Sequence, residues 1–249
     1  MSSFLDRHAA GCALATEIQK NHPDLMNQPD TIVLGLPRGG IPVAFEVAKV
    51  IHAPLDAYVV RKLGTPGQEE FAMGALAMDG TAYLDKTLIK WLGINQCGID
   101  QTMERERLEL NRRAMLYRGS TTPPKVEGKK VLIVDDGLAT GATMKAAIRA
   151  IKKNQPDQIM IAVPVAPPST VKELAGEVDR LICLEEHEPF IGVGLWYSNF
   201  SQTTDNDVKV LLEKAASYSS VSLEATQESV MQSYQTEKKK RRHRDVAPI

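Results

Sequence analysis

Two adjacent acids, Asp135 and Asp136, stand directly before a loop of small residues and threonines, Gly137-Leu138-Ala139-Thr140-Gly141-Ala142-Thr143. Carboxylates accept hydrogen bonds from hydroxyls or hold hard cations, while a glycine-rich turn with free backbone amides cradles phosphate oxygens. Few chemistries need both on one turn. The run Val131-Leu-Ile-Val134 reads as a buried strand, and Met144, Ala147, Ile148 and Ile151 recur at helical spacing after it. A strand-to-helix turn aims unpaired N–H groups and the positive end of the helix dipole at whatever lies above the sheet, which makes it an anion site.

The detail of the turn removes its competitors. A Walker loop places a lysine directly after its second glycine, and here Ala142 and Thr143 follow Gly141. A dinucleotide fingerprint needs GxGxxG, which Gly137-Leu-Ala-Thr-Gly141 does not supply. A receiver-type acid pair holds a metal but has no Thr-Gly-Ala-Thr cup. A plain strand end with an acidic lip explains the aspartates and leaves the cup unexplained. The remaining reading is a diol-plus-phosphate reader: Asp135 and Asp136 accept from a ribose 2′,3′-diol, and Thr140 to Thr143 wrap a 5′-phosphate. The segment VLIVDDGLATGAT resembles the PRPP-binding motif of the type I phosphoribosyltransferases.

A second loop has the same form. Thr31-Ile-Val-Leu-Gly-Leu-Pro-Arg-Gly-Gly40 is a strand, a glycine-rich turn and a helix starting near Pro42, where proline is tolerated. By the resemblance, Arg38, Gly39 and Gly40 belong to the loop that holds the pyrophosphate of PRPP, with a cis peptide bond between Pro37 and Arg38. Further on, Leu55-Asp-Ala-Tyr-Val-Val60 reads as a parallel strand ending in Arg61-Lys62 and followed by a Gly/Pro stretch, Gly64 to Glu70. The resemblance places a basic contact for departing pyrophosphate and a mobile catalytic loop there. An exposed Arg-Lys pair on an ordinary loop is the plainer alternative.

The resemblance implies displacement of pyrophosphate from C1 of PRPP by a nitrogen nucleophile, with a small acceptor base as second substrate. Asp135, Asp136, Arg61 and Lys62 are then the catalytic set, and Gly137 to Thr143 bind the 5′-phosphate. Mg²⁺ would sit near Asp135 and Asp136, bound directly or through water or the diol. Hypoxanthine-guanine members carry an aspartate before the Thr-Gly pair where this chain has Ala139, which weakens a 6-oxopurine reading. Glu69 and Glu70 are candidates, by location, for assisting the base. The rival class is a PRPP-sensing regulator that has lost turnover. Intact Arg38-Gly39-Gly40 and Arg61-Lys62 favour the enzyme.

These loops must be positioned by alternating strands and helices. The expected fold is α/β, a type I phosphoribosyltransferase-like parallel sheet flanked by helices, with ligands at the C-terminal strand ends. The core is expected over about 30–185 of a domain spanning 1–216, with a hood from about 64–120 and 185–203. Helices are expected near 4–21, 100–117, 168–176 and 205–216, and strands at 157–164 and 179–184. Phe4, Leu5 and Cys12 are expected to pack from the first helix, and the charges of the 100–117 helix to be mostly solvated. Asp79-Gly80 suggests a type I′ hairpin turn. Phe190, Trp196, Tyr197 and Phe200 are concentrated near one hood segment, where one could stack on a flat acceptor.

At 249 residues and 43% hydrophobic content the chain can build an ordinary core. It lacks an apolar run of roughly 18 to 20 residues and a secretory h-region, so a soluble cytoplasmic protein is expected, forming a homo-oligomer. Cys12, Cys97 and Cys183 show no sequence pattern of metal ligands and read as reduced and structural. The net charge of −1 hides an asymmetry, since six of the 30 Lys and Arg fall in Lys238 to Arg244 and the rest of the chain sits at −7. Residues 217–249 are expected to be a disordered basic tail with, at most, weak polyanion contact.

Overall fold

A computed structural model describes residues 3–218 of the chain. The elements are α1 (Arg7–Asn21), β1 (Thr31–Gly35), α2 (Gly40–Ile51), β2 (Leu55–Ala57), β3 (Val60–Thr65), β4 (Gln68–Ala77), β5 (Ala82–Leu84), α3 (Lys86–Trp91), α4 (Gln96–Arg118), β6 (Lys130–Val134), α5 (Ala142–Lys153), β7 (Gln158–Ala166), α6 (Pro168–Ala175), β8 (Arg180–Glu186) and α7 (205–218). The basic run Lys238 to Arg244 and nearly all of the expected tail lie outside the described residues.

Five strands form a parallel sheet in the order β2-β1-β6-β7-β8, as the α/β alternation implies. The central strands are near-continuous apolar runs because helices cover both faces. In β6 the pleat sends Val131 and Ile133 to one core and Leu132 and Val134 to the other. The second core is completed by Leu14 and Ile18 of α1 and Val43 and Val47 of α2; the first by Ile148 and Ile151 of α5, Leu110 of α4 and Met73 of β4. The order α1-α2 on one side and α4-α5 on the other leaves the C-terminal strand ends free for loops.

Three expectations are corrected. The run 55–60 is not one strand: the parallel pairing stops at Ala57, and Val60 begins β3 of a separate antiparallel sheet, β3-β4-β5. Arg61 and Lys62 therefore lie within a strand, and Gly64 to Glu70 includes a hairpin tip, with Gly67 at φ +80°. The 79–80 hairpin exists, but only Gly80 has positive φ. The Gly80 N–H bonds to the Ala77 carbonyl and the Ala77 N–H to Thr81, a type I turn closed by a left-handed glycine rather than type I′. The first helix starts later than expected, capped by Asp6, whose carboxylate accepts from the Ala9 amide at 2.8 Å; Leu5 and Cys12 are exposed, while Phe4 packs outside the helix. No helix among the described residues is long and apolar enough to cross a membrane.

Candidate functional site

Adjacent strands bring the two loops together. β1 and β6 pair in register, Gly35 opposite Val134, so the turns after them leave the sheet at one level, and the Leu36 amide bonds to the Val134 carbonyl at 3.0 Å. A Cβ on Gly40 would lie 2.8 Å from the Val134 carbonyl oxygen and 2.9 Å from Asp135 Oδ1. A Cβ on Gly39 would lie 2.0 Å from Asp136 Oδ2. Glycine is thus required at both places by the acid pair itself. The Pro37–Arg38 peptide bond is cis, as the resemblance implies.

Past the acids, Gly137 has φ +154° and is pressed against Val165 and Val193, so a side chain has neither the dihedral nor the room. Leu138 is buried and its amide bonds to Val165 on β7; Ala139 and Thr140 are exposed. The Ala139 carbonyl is pinned by the Thr170 hydroxyl at 2.7 Å. Gly141, left-handed at φ +69°, opens α5, whose first turn has no acidic residue and no side-chain cap. The first amides of α5, from Ala142 and Thr143 onward, have no carbonyl one turn earlier in the helix to bond to. That is the geometry of an anion cup.

The acid pair is enclosed by Arg7, which the sequence did not single out, and by two of the hood aromatics, Tyr197 and Phe200. Arg7, the first residue of α1, donates from Nε to Asp136 Oδ2 at 2.7 Å, with the two side chains only 12% and 13% exposed. The Arg7 guanidinium lies 3.8 Å over the Phe200 ring and donates to the Ser201 carbonyl at 2.7 Å. The Tyr197 hydroxyl donates to the Asp136 carbonyl at 2.5 Å, and its ring packs on Phe4. Asp135 Oδ1 accepts from the Asp136 amide at 2.9 Å. Burial raises the Asp135 carboxyl well above its usual range, and the neighbouring Asp136 charge raises it further. Burial also raises Asp136, against the pull of Arg7. One signal for Arg7 was available: a cation at a helix N-terminus opposes the dipole and needs an outside partner.

Arg38 extends from its loop to Asp205 at the start of α7, Nη1 to Oδ1 at 3.7 Å, and Asp205 also accepts from Tyr117. Arg61 places Nε and Nη2 on Glu106 of α4 at 2.9 and 2.6 Å, so its guanidinium is engaged there and not at the acid pair. Lys62 is exposed on β3. Glu106, expected to be solvated with its neighbours, is buried. Glu69 is exposed and paired with Arg105 at 2.9 Å; the Glu70 side chain lies outside what is described. Of the four aromatics, Tyr197 is committed to the acid loop, and Trp196 stacks on His187 at 3.5 Å between ring centroids. Phe200 is turned to Arg7.

Residues 2–197 match the family model described as phosphoribosyl transferase domain. A provisionally named phosphoribosyl transferase of Mycobacterium tuberculosis (strain ATCC 25618 / H37Rv) is 40% identical over 215 residues, 86% of this chain and 47% of that protein. The chain spans about half the length of that curated relative, 47% of it. The crystal structure of TT1426 from Thermus thermophilus aligns with a TM-score of 0.69 at 37% identity, covering 85% of this chain and 98% of the other. The bifunctional protein PyrR of Clostridium novyi (strain NT) is 31% identical over 135 residues, 54% of this chain and 56% of that protein.

Proposed function

The chain belongs to the phosphoribosyl transferase domain family, and from that premise we propose that it transfers the 5-phosphoribosyl group of PRPP to a nitrogen nucleophile and releases pyrophosphate. The observation that carries this reading is the register of β1 and β6. It sets two strand-end loops side by side with Asp135 and Asp136 between them, a spacing that suits one ligand with a phosphate at each end and a diol in the middle.

In this reading the backbone of Gly137 to Thr143 and the start of α5 bind the 5′-phosphate, and Arg38, Gly39 and Gly40 bind the pyrophosphate. Arg38 exchanges its 3.7 Å contact with Asp205 for the diphosphate, a better-matched anion for a guanidinium. Asp135 and Asp136 accept from the ribose hydroxyls and hold the sugar ring in place. Bond breaking at C1 creates positive charge on the sugar and negative charge on the leaving group. The protein's task is to orient the ring and stabilise both, without a covalent nucleophile. Arg7 shares the Asp136 carboxylate and fixes its angle. Lys62, and Arg61 once it exchanges Glu106 for the diphosphate, are assigned to positive charge on the leaving-group side.

Mg²⁺ fits this donor set. Two adjacent carboxylates, close enough to act on each other, are enclosed where a hard cation would offset their charge. When bound with PRPP it would supply charge neutralisation of the diphosphate. The domain is taken as residues 1–216, with 64–120 and 185–203 closing over the strand ends. The acceptor is assigned only to the class of nitrogen bases. The test is melting temperature with PRPP and Mg²⁺, then pyrophosphate release against a panel of bases. Stabilisation with release supports the transferase; stabilisation without release for any base assigns the chain to PRPP sensing instead.

A further inference from the structure

Directly after Arg7, α1 presents His8 and, one turn on, Cys12 on a single face, since residues four apart on a helix stack above one another. Glu46 of α2 meets that face. The approach is close because residue 11 is glycine: a Cβ there would lie 3.0 Å from the Val43 Cα and 3.1 Å from the Glu46 Cβ. The helices therefore sit near enough for a short carboxylate side chain to reach both α1 residues. His8 Nδ1 lies 3.1 Å from Glu46 Oε1, and Cys12 Sγ lies 4.0 Å from the same Nδ1. One donor atom from each of the three residues falls within 4.8 Å of the others.

Glu46 is only 8% exposed, and an enclosed carboxylate is costly unless it is well paired. Its partners in the structure include the His8 imidazole, 69% exposed in its side chain, the Cys12 thiol and the Lys49 ammonium at 3.9 Å. A divalent cation among the three donors would be a stronger counter-charge than any of these. Sulfur, imidazole nitrogen and carboxylate oxygen together are a donor set for zinc, and bonds of about 2.0 to 2.3 Å in a tetrahedron put ligand atoms about 3.2 to 3.8 Å apart. The separations from the one nitrogen, 3.1 Å to the carboxylate oxygen and 4.0 Å to the sulfur, bracket that range, and the exposed His8 and Cys12 side chains have room to close it.

We propose that His8, Cys12 and Glu46 form a binding site for one Zn²⁺-class divalent cation, separate from the anion loops. Cys12 releases its thiol proton to solvent as the metal–sulfur bond forms, and the exposed side of the cluster leaves the fourth position to water. Occupancy would clasp α1 to α2 immediately after Arg7, the residue that holds Asp136.

The probe is Co²⁺ titrated into the full-length, reduced protein. One equivalent is expected to produce thiolate-to-metal charge-transfer absorption and the intense visible bands of four-coordinate cobalt, both removed by an equimolar amount of Zn²⁺. The charge-transfer band should vanish in Cys12→Ser, and at least ten-fold more Co²⁺ should be needed in His8→Ala and Glu46→Gln. It should persist in Cys97→Ser and in Asp135→Asn/Asp136→Asn. Cys12 and His8 are exposed, so their variants are expected to keep the native circular dichroism, and they decide the question if Glu46→Gln does not fold. Absence of the band in the wild-type protein, or its survival in Cys12→Ser, overturns the site.

Discussion

Gly39 and Asp136 touch so closely that a Cβ on residue 39 would stand 2.0 Å from the Asp136 carboxylate oxygen that binds Arg7. The backbone at Gly39, φ −62° and ψ −33°, is one that any residue adopts. Contact, not conformation, demands glycine. The loop after β1 and the acids after β6 are consequently one packed unit, and a change in either is felt in both.

Gly39→Ala is expected to leave a folded protein in which Asp136 is displaced from Arg7. PRPP affinity should fall by about ten-fold or more, equivalent to at least about 1.4 kcal/mol. Titration calorimetry on the variant measures it, and wild-type affinity would show that the two loops act independently.

Removing Arg7 leaves a nearly enclosed carboxylate without its cation. Loss of one partner of a buried pair costs about 3 to 5 kcal/mol, and slightly less is expected here because both side chains retain some solvent contact. Arg7→Ala should lower the melting temperature by roughly 5 to 15 °C, given about 2 to 4 °C per kcal/mol for a chain of this size. The double change Arg7→Ala with Asp136→Asn should recover much of that loss. A double variant no better than Arg7→Ala would mean that Arg7 acts through Phe200 and Ser201 instead.

Asp135 carries a cost to the fold. Its carboxyl is raised by burial and by the Asp136 charge, so the native state binds more protons than the unfolded state between the ordinary aspartate range and the raised value. Stability from this group is complete in acid, below the unfolded value, and is lost as pH rises through the folded value. Asp135→Asn keeps the acceptor for the Asp136 amide and removes the charge, so it should melt higher than wild type at neutral pH without ligand. The advantage should shrink as the pH falls. Equal melting curves across the whole pH range would refute the burial cost.

The cysteines differ in reactivity for a physical reason. Burial pushes the Cys183 thiol up to about 12, while Cys97 is exposed. Iodoacetamide at neutral pH should modify Cys97 in the native protein and Cys183 only after unfolding, as peptide mass spectrometry would read. Rapid native labelling of Cys183 would place it outside the packed sheet.

Both strand-to-helix turns were legible because each couples an apolar run to glycines within a few residues, and the parallel order follows from alternation. What escaped was long-range or depended on a change of sheet. Arg7 and Asp136 are 129 positions apart, and a polar pair at that distance leaves no periodic trace. Ala57 and Val60 belong to different sheets although the run between them stays apolar and buried: the Tyr58 amide makes the last bond to β1, at Gly35, and the antiparallel pairing begins at Val60. Glu106 is hidden inside a helix face rich in charge, where composition alone reads as solvated; only the fold brings Arg61 to it.

The central claim is that Asp135 and Asp136 read the ribose of PRPP between two phosphate loops. Isothermal titration of PRPP with Mg²⁺ into wild type and into Asp135→Asn/Asp136→Asn tests it most directly, with circular dichroism to establish that both are folded. The account predicts saturable one-site binding in the wild type and no detectable heat of binding in the double variant. Unchanged affinity in a folded double variant would contradict it.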